Sequence, residues 1–105
     1  MDKSAIIKIA EEYAKLVLQN IKPIEIILYG SYAKGTARED SDIDIAVIVS
    51  KFISDYLDSA TMLYMLREDI DDRIQPILLE EASVKSGFLE DVRKTGYTLY
   101  SSTSS

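Results

Sequence analysis

The stretch Leu28–Ser50, LYGSYAKGTAREDSDIDIAVIVS, decides the reading of this chain. Gly30-Ser31 closes a short β-branched run. A polar segment follows, and then Asp42-Ile43-Asp44 leads directly into an apolar run. Residues two apart on a strand share a face. Asp42 and Asp44 therefore project together, while Ile43, Ile45 and Val47 project the other way. Two like charges at close range repel, and each loses hydration where the apolar run begins. That placement is costly unless a cation compensates it. Magnesium suits the task, because it takes carboxylate oxygens and keeps coordination positions for phosphate.

Gly30-Ser31 has a complementary chemistry. A helical turn starting at Ser31 would offer backbone amides to an anion. Glycine admits a phosphate close to the main chain, and the serine adds a hydroxyl. The loop to the apolar run is short, which favours two antiparallel neighbouring strands. The end of the first strand then lies beside the start of the second, and phosphate seat and carboxylate pair adjoin. Lys34 and Arg38, in the loop between, are positioned to add charge for a phosphate tail.

Outward from this stretch the chain reads as alternating helices and strands. Ser4 is a candidate N-cap. Ile6, Ile9, Ala10, Tyr13, Leu16 and Val17 then recur at helical spacing, predicting a helix over Ser4–Asn20 that Pro23 ends. Ile24–Tyr29 and Ile43–Val49 read as strands. Phe52–Asp71 has helical periodicity. Arg73–Leu79 reads as a third strand, and its Pro76 points to an edge or a bulge. Ser83–Thr95 is a further helix with Gly96 as its stop, and Tyr97–Tyr100 a short extension. A helix between the second and third strands favours a parallel crossover. The expected fold is a small α+β domain over residues 1–100, a mixed sheet of three to four strands flanked by helices. The final SSTSS, residues 101–105, is expected to fray.

Composition narrows the function. The 105 residues, 47% of them hydrophobic, suit one domain with a real core. No apolar run reaches a membrane span, and the N-terminus is not a secretory signal. The net charge of −6, with scattered basic residues, disfavours nucleic acid as a partner. Cysteine and histidine are both absent, which excludes thiolate and imidazole ligands and fits a cytoplasmic protein. Any metal is held by oxygen, hence magnesium, manganese or calcium.

An isolated D-x-D is most often a solvated strand end, and an isolated G-S a turn. The joint pattern arises by chance on the order of once in a thousand such chains. G-S, ten residues, then D-x-D, as spelled by Gly30-Ser31 and Asp42-Ile43-Asp44, resembles the minimal nucleotidyltransferase (MNT) domain of the DNA polymerase beta-like superfamily. The resemblance implies that superfamily's fold and a nucleotidyl transfer with two magnesium ions, or manganese. ATP or another nucleoside triphosphate would be the substrate. Asp42 and Asp44 would hold the metals, and Gly30 and Ser31 the triphosphate. Stand-alone members resemble the antitoxin half of a toxin–antitoxin pair with a HEPN-domain toxin, where AMP passes to a tyrosine of the partner. A protein partner or a homodimer would complete the cleft.

Active members usually carry a third acid on the next strand. Here the favoured alignment puts Gln75 in that place. Asp72 is the nearest substitute for a metal ligand, with the opposite side-chain parity. Asp69, Asp71 and Asp72 read equally well as a solvated helix end. Tyr32 is a candidate for stacking on a base. Two further readings stay open: a binding module that masks its partner without catalysis, and transfer to a small molecule.

Overall fold

The computed structural model describes residues 3–38, 41–51, 56–82 and 86–102. The element order is α1 (Lys3–Asn20), β1 (Glu25–Tyr29), α2 (Ser31–Lys34), β2 (Ile43–Val49), α3 (Tyr56–Leu66), a 3-10 turn (Arg67–Asp69), β3 (Ile74–Glu80), α4 (Ser86–Thr95) and β4 (Tyr97–Ser101). Four strands form one mixed sheet in the order β3-β2-β1-β4. β1 pairs antiparallel with β2 and β4, and β2 pairs parallel with β3, as a helical crossover requires.

Strand alternation divides the core into two. Ile26, Leu28, Ile43, Ile45 and Val47 pack against α1 and α3 on one face. Ile27, Ala46 and Ile48 pack against Leu89 and Val92 of α4 on the other. The sheet is thus the middle of three layers. β2, buried on both faces, is a near-continuous apolar run for that reason. α1 lays Ile6, Ala10, Tyr13, Ala14 and Val17 on the sheet, all buried, and the Tyr13 hydroxyl donates to the Leu63 carbonyl of α3 at 2.5 Å. No helix among the described residues is long and apolar enough to cross a membrane.

The expected elements are all present, with changed ends. Phe52, the expected start of the long helix, and Ser83, the expected start of the last one, lie outside the described residues. Pro76 sits on β3, an edge of the sheet, where a missing amide donor is tolerated. One expectation is corrected. The C-terminal extension is a full strand, and its pairing runs into the expected frayed tail. Ser101 pairs with Glu25, and the Ser102 amide donates to the Ile24 carbonyl at 2.9 Å; residues 103–105 lie outside the described ones. Gly96 follows the last residue of α4, as expected of its stop, but not as a left-handed cap, since among the described residues only Gly30 and Gly35 have positive φ. It is glycine for space: a Cβ there would lie 2.5 Å from both Ile27 Cγ2 and the Val92 carbonyl oxygen.

Candidate active site

β1 ends at Tyr29, whose antiparallel partner is Asp44 at the start of β2. The chain then turns through Gly30, at φ 77°, ψ −150°, into the single helical turn α2. Gly30 closes directly on Asp44: a Cβ added there would collide with the Asp44 carboxylate. The G-S turn and the D-x-D pair are thus adjacent across the β1–β2 ladder. α2 ends at Gly35, whose φ of 78° is left-handed. The Thr36 amide donates back to the Ser31 carbonyl at 2.9 Å. This folds the turn tightly and keeps Ser31 at the mouth of the site.

Asp42 is exposed and Asp44 half-buried. Burial first, and the Asp42 charge second, raise the Asp44 carboxyl above its ordinary pKa. Asp44 also acts on Tyr29. Burial and then the Asp44 charge push the Tyr29 phenol up to about 12. Phe88 of α4 meets the Tyr29 ring edge-on at 6.1 Å between centroids. These two rings wall one side of the site. Sequence reasoning did not pick out either. Tyr29 was detectable, because it precedes Gly30 on a strand paired with the D-x-D strand. Phe88 was not, because no local signal says which sheet face α4 covers.

On the other side of β2, Asp44 is paired with Gln75 of β3. Asp72 lies before β3, with an exposed side chain. Its carbonyl, with that of Ile74, accepts from the Arg67 guanidinium. Asp71 is taken by Arg73, whose guanidinium donates to it at 2.8 Å and whose main-chain amide donates at 2.9 Å. That pairing holds the Asp71 carboxyl below its ordinary range. Among the described residues no three acidic side chains come together as a metal site. The structure therefore brings Asp42, Asp44, Gly30 and Ser31 together and does not add Asp72 to them.

Lys34 Nζ lies 3.9 Å from Asp91 of α4. Arg38 has an exposed side chain, and its backbone bonds to Ser41: its amide donates to Ser41 Oγ at 2.8 Å and its carbonyl accepts from the Ser41 amide at 3.0 Å. Tyr32 is no stacking platform. It is 6% exposed, packed in the core on the α1 side, and its hydroxyl donates to the Arg38 carbonyl at 3.2 Å.

A divalent cation with a triphosphate fits these residues. The donor set is all oxygen, Asp44 is partly dehydrated, and the missing Cβ of Gly30 lets the main chain of the G-S turn lie directly against the Asp44 carboxylate. Residues 6–105 match the sequence model of "Polymerase beta, Nucleotidyltransferase". The chain is 30% identical over 97 residues to "Putative protein adenylyltransferase MJ0141" of Methanocaldococcus jannaschii, covering 87% of this chain and 95% of that one. A solved toxin–antitoxin structure with AMP-PNP is 26% identical, with a TM-score of 0.64 over 89% of this chain and 74% of that one. At 23% identity and a TM-score of 0.62, the fold is also that of a chain from the complex of tri-AMPylated Shewanella oneidensis HEPN toxin with MNT antitoxin. The match spans 91% of this chain and 73% of that one.

Proposed function

Since the chain belongs to the polymerase beta nucleotidyltransferase family, we propose that it moves AMP from ATP to a hydroxyl of a partner protein, as the MNT half of a cytoplasmic HEPN/MNT toxin–antitoxin pair. The observation that carries this is the contact of Gly30 with Asp44 across β1 and β2. It supports a phosphate seat at the G-S turn beside the carboxylate pair. Asp42 and Asp44 are the proposed ligands of magnesium, or manganese, which when bound would neutralise charge on the triphosphate and the departing pyrophosphate. Gly30 and Ser31 hold the phosphates, and Lys34 and Arg38 extend the positive charge outward.

In the reaction the acceptor oxygen attacks the α-phosphorus in line. The bond from that phosphorus to the bridging oxygen breaks, pyrophosphate leaves with the bond's electrons, and the acceptor's proton passes to solvent. The chain holds no histidine, and Gln75 beside Asp44 is not a base. A phenol, with an ordinary pKa near 10, gives up its proton more readily than an aliphatic hydroxyl, so a tyrosine acceptor suits this site. The relative named as a protein adenylyltransferase and the neighbour titled with an AMPylated HEPN toxin support the same reading.

Incubation with α-labelled ATP, magnesium and the protein encoded beside it tests this. The label should appear on that partner and vanish with Asp42→Asn or Asp44→Asn; label that persists would remove the assigned site. Gln75 favours a second reading, in which the chain neutralises its partner by binding, with nucleotide as a structural ligand. A tight complex and no label from the wild-type protein would select it.

A further inference from the structure

Asp44 lies on the central strand β2 and has a cross-strand neighbour on each side. One is Tyr29 and the other is Gln75. The face of Gln75 follows from its flanks. Ile74 and Leu78 belong to the core under α1 and α3, whereas Ile77 and Leu79 pack with Ala46 and Ile48 under α4. Gln75, alternate to Ile74, is on the α4 face, as is Asp44. The one position on β3 abreast of Asp44 and on its face thus carries a neutral amide.

The charge count has a consequence. Asp42 and Asp44 together carry two negative charges, which with oxygens of the triphosphate suffice to hold one divalent cation. A second dication alongside the first meets four times the Coulomb repulsion of two unit charges at that distance. It needs anionic ligands of its own. Among the described residues, Asp71 is bound by Arg73, Asp91 pairs with Lys34, and Asp72 is exposed and not grouped with the pair. Glu39 and Asp40 lie outside the described residues. The Gln75 amide offers one uncharged oxygen and an NH2 donor, a poor match to a cation.

Resting on the nucleotide site proposed above, we infer that this chain holds one divalent cation per bound nucleotide rather than two, and that Gln75 sets that number. Glutamine and glutamate share length and shape, so Gln75→Glu adds the missing charge with little change in packing.

The test counts ions rather than turnover. Manganese is titrated into the full chain with α,β-methylene-ATP, which cannot transfer AMP, and bound manganese is measured by electron paramagnetic resonance. The wild-type protein should hold one manganese per bound nucleotide. Gln75→Glu should hold two, and Gln75→Leu one. Two ions on the wild-type protein would overturn the inference without touching the nucleotide site. One ion on a nucleotide-bound Gln75→Glu protein would overturn the role of Gln75. Failure of the wild-type protein to retain the analogue at all would instead remove the nucleotide site on which the inference rests. The wild-type count stands as a test even where Gln75→Glu does not fold.

Discussion

Gly30 meets two demands that no other described residue meets together. Its φ of 77° is left-handed, and the space where a side chain would start is filled by Asp44. Gly35 meets only the first, with φ 78° and nothing within 4 Å of a built Cβ. The two positions make an internal control. Gly35→Ala should cost about 1 kcal/mol of stability, the penalty for an L-residue in that region, and leave nucleotide binding intact. Gly30→Ala should displace Asp44 as well and lower AMP transfer about a hundredfold, the scale for misplacing a catalytic group by an ångström. Melting curves with and without ATP and magnesium separate the two effects. Asp44 itself is a stability cost. Its folded pKa is raised, so the native state binds the proton more tightly than the unfolded chain does. Stability then falls as pH rises from the ordinary value near 4 through the folded pKa. Asp44→Asn should therefore raise the melting temperature of the ligand-free protein at neutral pH, and the gain should disappear below about pH 4. The same substitution should abolish stabilisation by magnesium-ATP.

Among the elements, α4 bears on the site at several points. Leu89 and Val92 seat it on the sheet, Phe88 reaches Tyr29, and Asp91 meets Lys34. Arg93 adds a clamp, its guanidinium held by both Glu25 of β1 and Glu81 beyond β3. The turn from α4 into β4 depends on Gly96, which lies against Ile27 and the Leu28 carbonyl. Gly96→Ala forces a methyl into that contact and should destabilise the fold by about 1–3 kcal/mol, the usual cost of overpacking. Chemical denaturation measures it. The residue type was plain in the sequence and its reason was not. A glycine after a helix reads as a left-handed cap, and only the packed partner strand shows that the constraint is volume.

At the scale of the whole molecule, β4 closes the order β3-β2-β1-β4 and keeps β1 off the edge. Leu99 and Tyr100 pack partly against the core beneath α1. A chain ending at Thr95 loses that cover and bares the ladder of the strand that carries Gly30. Such a truncation should lose its cooperative melting transition and aggregate, as read by circular dichroism and light scattering. The seven-residue β3 and its parallel pairing with β2 put Gln75 beside Asp44, so the site's charge is set by two segments thirty-one positions apart in the chain.

Local pattern alone determined much of this protein. Period-two alternation placed Asp42 and Asp44 on one face of β2 and Ile43, Ile45 and Val47 on the other. Helical spacing marked the buried face of α1, and the short polar loop implied that β1 and β2 are antiparallel. These signals are legible because each depends on the geometry of a few consecutive residues. Tertiary structure alone decided which sheet face α4 covers, that Tyr29 and Phe88 wall the site, that Tyr32 turns into the core, and that Ser101 continues a strand along β1. Those depend on register and packing between segments far apart in the chain. No periodicity encodes them, because the contacts that select them form only when the sheet is assembled.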